Sequence, residues 1–248
     1  MNHQDLGPLE ILNGALSIGV VIIAVICGVI IISKYFEFKR REFLLIGITA
    51  IILVEPWWPS ALSTVLLLIF NIEITEHFYF FLGNAFIPVG LIGWSFALTD
   101  LIFEKQKKIL QISGILYGVA FEMHFLYAFF FNISSIGQLR GPNDVEYHYV
   151  MTGFLFSVVI FVFTTGLLFA KESLKADNPE IQLRGKLLVY GFSAFAVGAP
   201  LDALIPLSTF TLLITRFILM SSAIGLYGGF IMPQWIRNLF LREAKHSN

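Results

Sequence analysis

The sequence predicts an all-α membrane protein: a polytopic bundle of seven transmembrane helices, with its N-terminus outside and its C-terminus in the cytoplasm. Three observations carry that expectation. Of 248 residues, 57% are hydrophobic and only 13% charged, with a mean hydropathy of +0.80. Soluble domains carry about a quarter charged residues, and a soluble core could not absorb this much apolar surface. Seven apolar runs reach the roughly 20 residues with which a helix crosses about 30 Å of hydrocarbon. Lysine and arginine, finally, fall almost entirely in alternate connecting segments.

The runs extend approximately from Leu9 to Ser33, Phe43 to Phe70, Phe78 to Phe103, Ile109 to Phe131, Val150 to Ala170, Leu187 to Pro206 and Phe210 to Met232. The second is interrupted by Glu55, Pro56, Trp57, Trp58 and Pro59, which predicts either one kinked helix or two re-entrant halves. Proline removes a backbone donor and bends a membrane helix without forbidding it, so the kinked helix is the expectation.

Short cytoplasmic segments retain positive charge, and this orients the bundle. The segments after spans one, three, five and seven hold fourteen basic residues: Lys34, Lys39, Arg40, Arg41, Lys105, Lys107, Lys108, Lys171, Lys175, Arg184, Lys186, Arg237, Arg242 and Lys245. The other side holds only Arg140. Asp5 and Glu10 give the N-terminal tail the wrong sign for a cleavable signal peptide, so span one is expected to be a permanent helix. The chain reads as one domain over residues 1–236, followed by a short cytoplasmic tail over 237–248 that is too short to fold alone.

Composition also excludes functions. A formal net charge of −1 leaves no basic surplus for a nucleic-acid partner. The single cysteine, Cys27, rules out an intrachain disulfide framework. No lysine lies at mid-membrane to form a retinal Schiff base. No nucleophile and base suggest an enzyme, and no cofactor is expected: His77, His124 and His148 lack metal-ligand spacing, and only His124 has the depth a haem would need.

The informative residues are ionisable side chains within spans, because they are costly in hydrocarbon and usually face a bundle interior. Glu55, Glu122, His124, Asp202 and Arg216 are the five, and their positions along the spans put them in the outer half of the membrane. An arginine at that depth calls for a carboxylate, so Arg216 is expected to pair with Asp202 or Glu122. Glu122 and His124, two residues apart on a helix, cannot both point into one cavity. Trp57 and Trp58 offer faces that could stack on an apolar or cationic ligand, or pack against lipid and neighbouring helices. Asp100, followed by Glu104 and lysines, suits a solvated or paired residue at the inner boundary rather than a site.

An internal echo joins Arg41–Pro56 to Arg184–Pro200, pairing Gly47 with Gly191, Thr49 with Ser193 and Pro56 with Pro200. Read as parallel repeats around span four, it suggests three plus one plus three helices, as in small sugar transporters. Read otherwise, apolar helices simply match one another cheaply.

The exit of the last span, Tyr227-Gly-Gly-Phe-Ile-Met-Pro-Gln-Trp-Ile-Arg237, resembles the end of the seven-helix membrane regions of prokaryotic sensor kinases and related stand-alone proteins. That resemblance implies stimulus sensing relayed to a cytoplasmic signalling partner. The resulting expectation is a non-enzymatic, receptor-like or sensor-like protein of the cell membrane. Its partners would be the lipid bilayer and a small-molecule ligand, bound in an outward-facing pocket near Glu55, Trp57, Trp58, Glu122, His124, Asp202 and Arg216. The alternative is a proton-coupled transporter of small solutes.

Overall fold

The computed structural model describes residues 6–102, 104–206 and 208–241; Asp5, Phe103, Arg242 and Lys245 lie outside the described residues. Seven helical segments are long and apolar enough to cross a membrane: Pro8–Phe38, Arg41–Phe70, Glu76–Leu101, Lys107–Phe131, Tyr149–Leu174, Pro179–Leu204 and Thr209–Ile231. Several outrun their apolar stretches because capping and helix-surface ion pairs carry them further. The sixth begins at Pro179, ahead of the apolar run at Leu187, because Asn178 Oδ1 caps the amide of Glu180 at 2.8 Å and Arg184 pairs with Glu180 one turn on.

Span one is a continuous helix, α1 (Pro8–Phe38), and a two-residue turn returns the chain along it. Span two is α2 (Arg41–Ile52), a 3₁₀ turn at Glu55–Trp57, and α3 (Trp58–Phe70). Both α2 and α3 pack on α1, so the span is kinked but crosses in one direction and is not a pair of re-entrant halves. Span three is broken as well, into α4 (Glu76–Asn84) and α5 (Ile87–Leu101), with Pro88 in the first turn of α5. The two breaks compensate each other. The Phe86 amide, released at the second break, donates to Glu55 Oε1 at the first, at 2.8 Å.

Spans four to seven are α6 (Lys107–Phe131), α7 (Tyr149–Leu174), α8 (Pro179–Leu204) and α9 (Thr209–Ile231). Span one packs on two and seven, two on three, five on six, and six on seven; α5 touches α7 and closes a ring of six. Span four lies outside this ring, packed mainly on span three. Close approaches depend on glycine. A Cβ on Gly47 would sit 2.6 Å from the Gly28 carbonyl oxygen of span one, and one on Gly191 would sit 2.8 Å from the Leu226 backbone nitrogen of span seven. The two echoing glycines therefore face non-equivalent neighbours: under parallel repeats, Gly191 would meet span five.

One end of the bundle is basic. Arg41 grips Asp100 through two contacts of 2.6 Å, and Lys107 adds a third at 2.9 Å, tying spans two, three and four together. After α9, α10 (Gln234–Leu241) buries Ile236 against Gly228 and leaves Trp235, Leu239 and Phe240 exposed.

The other end carries an antiparallel hairpin, β1 (Gly137–Gly141) and β2 (Asp144–Tyr147). It pairs Gly137 with Tyr147 and Leu139 with Val145, and the register shifts at Arg140. The Pro142–Asn143 turn tucks back into the helices, and Asn143 is fully buried.

Candidate functional site

Within the ring of six, a cavity of about 460 Å³ lies beneath the hairpin. Its walls come from spans one, two, three, five, six and seven and from the hairpin, and none comes from span four. Deep in the cavity the walls are apolar, with Ile52, Leu91, Val158, Val162 and Phe195. Toward the basic end an aromatic layer succeeds them. Trp94 donates to Thr165 Oγ1 at 2.8 Å and packs on Phe192 with ring centroids 5.5 Å apart; Phe192 meets Phe230, which stacks on Phe169.

At the hairpin end the cavity is polar, and its chemistry centres on Arg216. Its Nη1 lies 3.3 Å from Asp202 Oδ2, so of the two partners expected from sequence the arginine takes Asp202. Asp202 is fully engaged by neutral donors: Trp57 Nε1 donates to Oδ2 and Thr215 Oγ1 to Oδ1, each at 2.8 Å. The guanidinium also stands over the Trp57 ring, 5.7 Å from its centroid, in cation–π range.

Arg216 is further tied to the hairpin. Its Nη2 donates to Asn13 Oδ1 at 2.8 Å, and Asn13 Nδ2 donates to the Asn143 carbonyl at 2.8 Å. Asn143 Nδ2 in turn donates to the Glu10 carbonyl and to Thr64 Oγ1. Ser63 holds the Pro142 carbonyl at 2.5 Å. The hairpin turn, α1, α3, α8 and α9 thus share one polar network, and burial makes each of its bonds costly to lose.

No family model matches the chain, and neither a curated protein nor a solved structure is similar enough to count as a relative. The arrangement is therefore read from its own geometry.

Of the seven residues singled out from sequence, Trp57, Asp202 and Arg216 converge at the cavity. Glu55 does not line it; it is fully buried between spans two and three, occupied with the Phe86 amide, and its Oε2 has no hydrogen-bond partner among the described residues. Trp58 points away as well, packed on Phe86 with centroids 6.5 Å apart. Glu122 and His124 cannot reach the cavity because span four stands outside the ring. Glu122 is half-buried, near enough to Glu55 for their charges to interact, and His124 is exposed. His77 packs edge-on against Phe129, and among the described residues no group of three or more His, Cys, Asp or Glu could hold a metal ion.

Sequence reasoning missed Asn13, Thr215 and Asn143. Asn13 and Thr215 are uncharged and so escape a search for ionisable side chains, although an asparagine inside an apolar helix is itself a signal of buried hydrogen bonding. Asn143 was legible as part of a Gly141-Pro142-Asn143-Asp144 turn, which marks a hairpin when extended segments flank it.

Proposed function

We propose that this chain is a non-enzymatic, receptor-like or sensor-like protein of the cell membrane, with its N-terminus and hairpin outside and its basic end in the cytoplasm. It binds a small molecule in the cavity beneath the hairpin. The observation that carries this reading is the cavity's asymmetry: charged and polar groups and the hairpin line one end, and the lining is apolar at the other, with Leu91, Val162 and Phe195. A compartment built this way favours occupancy over passage.

The route for a signal is physical. Arg216 sits on α9, which runs unbroken to Ile231 and leads into α10. A ligand that displaces Arg216 from Asn13 or Asp202 acts on a rigid rod whose far end packs against Ile236 at Gly228, beside an α10 that is also tied to span six through Arg237 and Glu180. The resemblance of the Tyr227–Arg237 exit to sensor-kinase membrane regions agrees with output there, to a cytoplasmic signalling partner. The non-equivalent contacts of Gly47 and Gly191 weigh against the transporter alternative, which leans on parallel repeats.

Reconstituted vesicles separate the two. With a proton gradient imposed across the membrane, the protein is expected to drive no uptake from a broad panel of small solutes, and Glu55→Gln is expected to change nothing. Gradient-driven uptake lost in Glu55→Gln would overturn the sensor reading in favour of transport.

A further inference from the structure

The cavity's charge balance and the passage of its walls from polar to apolar define what it can hold, given the proposal that it is a ligand site. Five charged groups line it. Arg216 faces Asp202, Arg140 is paired with Glu146, and Asp144 completes the set. Two cations against three carboxylates leave no positive surplus, so an anionic ligand would be repelled rather than recognised. Burial raises the Asp144 carboxyl above the usual range, which moves the rim toward neutrality and leaves it still without excess positive charge.

Polar groups gather at one end of the cavity. Arg216, 3% exposed, is held there by Asn13 and Asp202, and its Nε and Nη1 are enclosed by protein. Below it the walls become apolar within the same cavity, at Leu91, Val158, Val162 and Phe195. The volume, about 460 Å³, is within the roughly 300–1,000 Å³ usual for small-molecule sites.

We propose that the cavity takes a neutral amphiphile: an apolar chain or ring system ending in a hydroxyl or carbonyl group that sits among the charge-balanced polar side chains at the hairpin end. The neutral head adds no charge to a balanced rim. The apolar body replaces empty space between spans three, five and six. Such molecules partition into bilayers, which places the ligand class in the medium that surrounds the protein.

The test compares three probes of one chain length: decanol, decanoate and decane, each added at the same mole fraction to the purified protein in detergent at neutral pH. Decanol is expected to raise the midpoint of thermal unfolding saturably by several degrees, and decanoate and decane to raise it less. Ala199→Phe fills the cavity from span six and is expected to abolish the decanol shift; Val159→Phe, from span five, provides a second filling variant should the first fail to fold. A larger shift with decanoate, or an equal one with decane, that both filling variants abolish would overturn the neutral-head assignment while leaving a ligand cavity standing. Equal shifts for all three probes that survive filling would overturn the assignment and the ligand reading together.

Discussion

Arg216→Leu is expected to destabilise the protein by about 3–5 kcal/mol, the cost of leaving a buried charge without its partner. The carboxylate left behind, Asp202, has an 11% exposed side chain and would keep only Trp57 Nε1 and Thr215 Oγ1 as neutral donors. Asn13 would lose the guanidinium that holds its amide oxygen, loosening the tie to Asn143. The double variant Arg216→Leu with Asp202→Leu is expected to recover part of the loss, because well-packed apolar residues often replace a buried pair at little cost. Recovery stays incomplete since Trp57 Nε1 then lacks an acceptor and Thr215 keeps only the Leu212 carbonyl, at 3.4 Å. Thermal unfolding in detergent reads both. An Arg216→Leu protein as stable as its parent would show that no buried ion pair organises this end of the bundle.

The second large effect lies where α1 meets α3. A Cβ at Gly14 would fall 1.9 Å from Thr64 Oγ1 and 2.5 Å from Thr64 Cβ, so even Gly14→Ala forces the helices apart. Overpacking of this kind costs about 1–3 kcal/mol. The displaced Thr64 also receives the bond from Asn143 Nδ2, so the hairpin turn loses an anchor together with the helix contact. Gly14→Ala is expected both to lower the unfolding midpoint and to speed protease cleavage at the hairpin, whereas Gly153→Ala, with open space around its Cβ position, should do neither. Unchanged stability and protection in Gly14→Ala would mean that the hairpin is not fastened through this crossing.

Much of the fold was legible because hydrocarbon imposes one rule on every span: apolar side chains over about 20 residues, with backbone polar groups satisfied internally. The second span's kink was legible for the same reason, from Pro56 and Pro59. The break in span three was not, although Asn84 and Pro88 flank it, because the sequence does not reveal that Glu55 would be there to receive the Phe86 amide. The hairpin lies in a connecting segment, where hydropathy carries no message and only the Gly141–Asp144 turn marks it. For the site, depth along the helix brought Trp57, Asp202 and Arg216 to one level, but depth says nothing of azimuth. Glu122 has the right height and the wrong helix, since span four stands outside the ring. Trp57 and Trp58 are adjacent, so one faces the cavity and its neighbour must face elsewhere.

All of this supposes a bilayer around the seven helices, with the hairpin and the basic end on opposite faces. Labelling with a membrane-impermeant thiol reagent tests that most directly, in a Cys27→Ala background carrying either Arg140→Cys or Lys107→Cys. Intact cells should label the hairpin position at once and the Lys107 position only after the membrane is opened. Equal labelling of both positions in intact cells would contradict the arrangement.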